Sequence, residues 1–338
     1  MTARTVLGRP DRGVRSTLSV RCFGAVLGAL LLTVQACPAF AWPDRPVRLV
    51  VGFQAGGSTD VVARLLADRL RAQFEGTSFI VENRPGASGI VAANTVRNAG
   101  DRHTLLVAGD SLVAAPLLNR NLHLDPSTDF KPVSGLADST VVLLAAPNAP
   151  FKTFGEMVDY AHANPGKISY VSSGVGNTQH LIGEYLSGAL KLDMVHVPSR
   201  GGGQAVNDLV GGQLPLGILG LGPTLGHVKA GQLTALAVTV GQRARQLPNV
   251  PTLEELGMKD FAVAQWFSLL GPQDLPDDVV ERLSKAVTAA LDDPVVRQRF
   301  EDVGFTVRTS TPQQLRLRME QDKARWKKLI QERSLKID

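Results

Sequence analysis

Short apolar runs, each followed by a glycine-bearing turn and then a helix-patterned stretch, constrain this chain more than any other feature. Val47, Leu49, Val50 and Val51 are nearly continuous, and residues 48–53 read as a buried strand. A turn at 54–59 leads into residues 60–74, where Val61, Leu65, Leu66, Leu70 and Phe74 recur at helical spacing. Residues 79–81, a turn at Asn83-Arg84-Pro85-Gly86 and a helix over 90–98 repeat the pattern, and 104–108 reads as a third strand. Strands alternating with helices argue for a parallel-type α/β sheet flanked by helices.

The same style returns further along. Strands are expected at 141–146, 168–172, 194–197 and 233–240, with helices over 153–164, 179–190 and 205–211. Thr153 with Glu156 three residues later spells a capping box at the first of these helices. The last third is helical: 276–292, 294–303 and 311–332. Thr311-Pro312 opens the final helix, and Leu315, Met319, Trp326, Leu329 and Ile330 form its apolar stripe. Such a terminal helix is expected to pack back across the rest of the fold. A length of 338 residues accommodates two α/β units. The chain is expected to cross between them near 134–141 and to return near 247–266.

The net charge of +5 is mostly a property of the first 41 residues, where Arg4, Arg9, Arg12, Arg15 and Arg21 face the single acid Asp11. The remainder is nearly neutral, which argues against a nucleic-acid partner. Arginines, then an apolar run over 23–34, then Ala39-Phe40-Ala41, have the layout of a cleavable signal peptide covering 1–41. The run is well short of the ~20 residues needed to span a bilayer. Cys22 and Cys37 both lie in this leader, so the exported chain would carry no thiol. The alternative is lipidation at Cys37, for which Val34-Gln35-Ala36 makes a loose cleavage box. The run over 214–226 is broken by Pro215 and Pro223, so the exported protein is expected to be soluble.

Two turns between strand and helix suit an anion. Ala55, Gly56, Gly57, Ser58 and Thr59 combine backbone freedom, hydroxyls and the free N–H groups of a helix start. Ser173, Gly174, Gly176, Asn177 and Thr178 repeat that chemistry in the second unit. Arg200, beside Gly201-Gly202-Gly203, is a candidate partner for a carboxylate or else a surface charge. Neither turn is a nucleotide fingerprint: no Gly-Lys-Ser/Thr follows, and the Gly-x-Gly-x-x-Gly spacing is not met. No nucleophile elbow and no His-Glu-x-x-His pair occurs, so neither catalysis, a metal nor a cofactor is expected. A Ser173/His180 dyad is the one hydrolase reading, and His180 is equally a structural group bonding its own loop. Asp44, Asp60 and Asp110 read as caps and turn formers.

Several ordered motifs carry a resemblance. Trp42-Pro43-Asp44-Arg45-Pro46-Val47 with Ala55-Gly56-Gly57-Ser58-Thr59-Asp60 is followed by Val81-Glu82-Asn83-Arg84-Pro85-Gly86-Ala87 and Asn164-Pro165-Gly166-Lys167. Val195-His196-Val197-Pro198, Asp208-Leu209-Val210-Gly211-Gly212-Gln213 and Leu247-Pro248-Asn249-Val250-Pro251-Thr252 come after them. From Trp42 to its end the chain resembles the periplasmic solute receptors of tripartite tricarboxylate transporters, the Bug proteins. The resemblance implies a two-domain flytrap without catalysis, and the chain is expected to be a monomer. Its domains would be 42–140 with 265–338, and 141–264, and both turns would hold a small organic carboxylate. The resemblance also implies transporter membrane subunits as partners; a separate alternative is that the ligand-bound form signals to a sensor kinase. Ser199, Pro215, Leu219-Gly220 and Asp110 depart from the family's usual pattern and make one wall less polar.

Overall fold

The computed structural model describes residues 42–259 and 261–332, together with the isolated Gly8. The leader, its cleavage site and Cys37 therefore lie outside the described residues. Val47–Val51 forms β1, Phe79–Asn83 β2 and Thr104–Gly109 β3. β1 lies between β2 and β3, parallel to both. α1 (Ser58–Gln73) and α2 (Ile90–Arg97) make the connections, as the apolar spacing requires. α3 (Ser111–Leu118) follows β3, and a short α4 (Pro126–Asp129) precedes β4 (Phe130–Ala145).

β4 is the longest strand among those described and joins two halves of the sheet. Its first part, through Thr140, runs antiparallel to β9 (Ala264–Pro272), which in turn pairs antiparallel with β3. From Val141 onward its partners are β7 (Leu216–Gly220) and β8 (Thr234–Val238), both antiparallel. β5 (Ile168–Ser172) lies parallel to β7 and to β6 (Met194–Pro198). The sheet is thus mixed. Parallel pairs occur where helices make the crossovers, and the long strands β4 and β9 bring in the antiparallel ones.

Helices α5 (Phe154–Ala163), α6 (Thr178–Leu190), α7 (Gly202–Val210) and α8 (Leu221–Lys229) serve the second half. Thr153 caps α5 by accepting the Glu156 N–H at 3.2 Å, and Glu156 Oε2 accepts the Lys152 N–H at 2.7 Å. α9 (Asp277–Leu291), α10 (Pro294–Asp302) and α11 (Pro312–Glu332) close the chain, with β10 (Phe305–Val307) laid along β4. α11 packs across the fold. Leu315 and Met319 enter a core with Val50, Leu106 and Leu270, while Trp326 enters the core built on Val141, Ile218 and Leu236. None of the described helices is long and apolar enough to cross a membrane.

Candidate functional site

The β1–α1 turn is held from below by Asp60. This carboxylate is buried in the first turn of α1. Its Oδ2 accepts the Gly56 N–H at 3.0 Å and Arg64 Nε at 2.9 Å, and its Oδ1 accepts Asn83 Nδ2 at 2.9 Å. Burial alone would raise its pKa, but the bonds from Arg64, Gly56 and Asn83 outweigh it and hold the group below its usual value. Gly56 sits at φ +83°, so its amide points back at Asp60 rather than at a ligand. The open donors are those of the helix start itself. Ser58 and Thr59 lead α1 with no intrahelical acceptor for their N–H groups. Gly57, the cap residue, supplies no side chain to satisfy them.

Other helices share this design. α7 starts behind Gly201 and α8 behind Gly220, again without a side-chain cap. α6 differs, because Asn177 Oδ1 accepts the His180 N–H at 2.9 Å. These helix ends meet around one small cavity of about 10 Å³. Gly57, Ser58 and Thr59 line it from α1, Ser173 and Gln179 from the start of α6, and Gly202 from α7. Leu219, Gly220 and Pro223 line it from the β7–α8 junction, with Phe53 and, from β9, Gln265. Each helix start carries roughly half a positive charge, so the cavity favours an anion although none of its lining side chains is charged.

Two hydroxyls and an amide face this cavity without internal partners. Ser58 is 7% exposed and Thr59 3%, and neither hydroxyl has a hydrogen-bond partner among the described residues. Gln265 is 5% exposed, and only its Oε1 is engaged, by Gln179 Nε2 at 3.4 Å. Polar side chains gathered at one cavity mark a place where a polar guest can complete their hydrogen bonds.

The cavity is sealed by backbone meeting backbone. A Cβ on Gly57 would lie 3.3 Å from Gly202 N, and one on Gly203 would lie 2.8 Å from the Ala55 carbonyl oxygen. Ser88 Oγ donates to the Val175 carbonyl alongside. A cavity this size holds about one water and is too small for an organic acid.

The turn residues expected to bind do not all reach the cavity. Gly57, Ser58, Thr59 and Ser173 line it. Ala55 and Gly56 border a wider chamber of about 630 Å³ beside α7 and α8. Gly174 and the exposed Arg200 border another, of about 560 Å³. Gly176 packs towards α3, where an added Cβ would meet Ala115 Cα at 3.1 Å. Asn177 is buried and bonds Ser173 Oγ and the His180 N–H, and Thr178 donates to Asp110 Oδ2. Gln179, Gln265, Gly202, Gly220 and Pro223 are lining residues that the two turns did not reveal. The Gly201-Gly202-Gly203 run and the departure at Leu219-Gly220 were the available signals among them.

Behind the second turn lies a stack of neutral rings. His180 Nδ1 accepts the Gly176 N–H at 3.1 Å, and the His196 ring stacks on His180 at 4.0 Å. Burial lowers His180 to about 4; burial and the neighbouring His180 lower His196 to about 3. His180 therefore props its own loop, while Ser173 Oγ is engaged by Asn177, so the two do not form a dyad. Asp110 is wholly buried against the first residue of α6, and its Oδ1 has no partner. Desolvation pushes it up to about 7, with Asp322 adding to the rise and Thr178, the Ser111 N–H and Arg318 opposing it.

Residues 62–335 match the family model of the tripartite tricarboxylate transporter family receptor. The chain belongs to this family. It is 32% identical to the protein BugT of Bordetella pertussis over 93% of its own length and 98% of that protein's. The periplasmic binding protein BugD superposes with a TM-score of 0.83 at 33% identity, covering 87% of this chain and 99% of that one. MatC of Rhodopseudomonas palustris with bound malate gives a TM-score of 0.81 at 32% identity, over 86% of this chain and 100% of that one. The fold is that of a periplasmic binding protein, and the chain is a solute-binding receptor rather than an enzyme.

Proposed function

We propose that this protein captures a small organic carboxylate outside the cytoplasm and delivers it to the membrane subunits of a tripartite transporter. The observation that carries this reading is the meeting of glycine-capped helix starts, with the unpaired Ser58 and Thr59 hydroxyls, around one uncharged cavity. Amide dipoles neutralise a carboxylate there without a counter-ion. In this reading residues 42–140 with 265–338, and 141–264, act as two lobes that part to admit the acid and close on it. β4 changes partners between Thr140 and Val141, which supports a hinge at that point. Export through a leader over 1–41 agrees with the periplasmic relatives.

Calorimetric titration with a panel of mono-, di- and tricarboxylates tests the proposal. One acid binding per chain at micromolar concentration or tighter is expected. A folded protein that binds none of them would overturn it.

A further inference from the structure

We infer that Gln265 is a specificity-determining residue of this site, its amide N–H reading an oxygen acceptor that the guest carries beyond its anchored carboxylate. The inference rests on the carboxylate-capture reading and goes further, to the class of acid preferred.

Two side-chain amides are held in one orientation at this cavity. The Ser173 backbone N–H donates to Gln179 Oε1 at 2.8 Å, and an N–H donor can meet only the oxygen of a carboxamide. That bond fixes the orientation of Gln179 and leaves its Nε2 pointing at Gln265. Nε2 in turn donates to Gln265 Oε1 at 3.4 Å, which leaves Gln265 Nε2 as the group without a partner. Gln265 is 5% exposed and lines the cavity, where its Oε1 is the amide atom nearest Gly220; its Nε2, which bonds no described residue, is the amide atom left for a guest. A backbone amide at the start of α6 thus sets, through two side chains, the polarity that a β9 residue shows to the ligand.

The surroundings narrow the class. No acidic or basic side chain lines the cavity, so neither an ammonium nor a second full charge meets a counter-ion there. Phe53, Leu219 and Pro223 supply apolar wall. A short acid with a keto or hydroxyl oxygen satisfies Gln265 Nε2. Its deoxy analogue leaves that donor buried and unpaired.

Matched pairs test this: lactate and pyruvate against propionate, and malate against succinate, titrated into wild type and Gln265→Met. Wild type is expected to bind the oxygenated member of the pair it accepts about tenfold more tightly. Gln265→Met is expected to bring that ratio to within about twofold through loss of affinity for the oxygenated acid alone. Gln265→Leu supplies the same measurement if the methionine variant does not fold. A purely structural role would weaken both members equally, and an unchanged ratio in the variant overturns the inference. So does a wild type that shows no preference within the pair. A wild type that binds no acid at all overturns the proposed function itself.

Discussion

Replacing Gly203 with alanine separates closure of the site from folding of the helix that carries it. Gly203 lies in the first turn of α7. With the loops apart, alanine there is the better helix former, by up to ~1 kcal/mol. With the loops together, the new Cβ would stand 2.8 Å from the Ala55 carbonyl oxygen, short of the 3.4 Å at which ordinary contact begins. Both sides of this contact are backbone, so no side chain can turn away. Overpacking of this kind costs about 1–3 kcal/mol, which is roughly a 5- to 150-fold loss of affinity. Calorimetry of acid binding, with urea denaturation of the ligand-free protein, reads the two effects separately. Weaker binding with equal or greater stability is expected. Unchanged affinity would refute the claim that α7 closes against the β1–α1 turn when the guest is held. A fall in stability as large as the fall in affinity would assign this glycine to folding instead.

The remaining predictions use the same site. Ser58→Ala should weaken acid binding by about 1 kcal/mol, roughly fivefold, without altering the fold, as read by calorimetry and circular dichroism. Gly57→Val should abolish measurable binding, because its Cβ alone reaches 3.3 Å from Gly202 N and the branch adds atoms beyond it. Asp110 is raised to about 7 from an ordinary 3.8, so its contribution to stability is full below pH 4 and is lost as pH rises to about 7. Urea denaturation of Asp110→Asn against wild type should diverge across that window by on the order of a few kcal/mol and run parallel above it. Parallel curves throughout would show that burial does not perturb this carboxyl. His180 is lowered to about 4 and His196 to about 3, so both stay neutral while an unfolded chain takes up protons from about 6.5 downward. Stability should therefore fall as pH drops from 6.5 towards 4. Their ring proton resonances should stay flat between pH 7.5 and 5, and a midpoint near 6.5 would contradict the buried stack.

The elements that sequence reading located are those whose apolar spacing is complete within one segment. β1, α1, β5, α6 and the three terminal helices fall within a few residues of expectation. The first part of β4 was not legible, because Lys131, Pro132, Gly135 and Asp138 look like loop. Pairing with β9 overrides that local preference, and register shifts near Pro132 and Gly135 absorb the awkward residues as bulges. β7 and α8 were hidden for a related reason. Glycine and proline in 214–226 read as breakers, yet Gly217 is there because Leu209 packs where its Cβ would be, at 2.5 Å. Pro223 falls in the first turn of α8, where proline is tolerated. The site was half legible. Helix starts announce themselves locally, and Ser58 and Ser173, expected from two such starts, both line the candidate cavity. Gln265 enters from a strand distant in sequence, and no local pattern points to it. Gly176 and Thr178 look like ligand-facing residues by composition, but packing against Ala115 and Asp110 turns them away from the cavity.

A crystal structure of the complex with the tightest-binding acid examines the central claim without intermediaries. The carboxylate oxygens should sit within about 3 Å of the Ser58 and Thr59 N–H groups, with the Ser58 hydroxyl and the starts of α6 and α7 around them. An acid bound elsewhere on the protein, with Ser58 and Gly202 making no approach to it, would contradict the account.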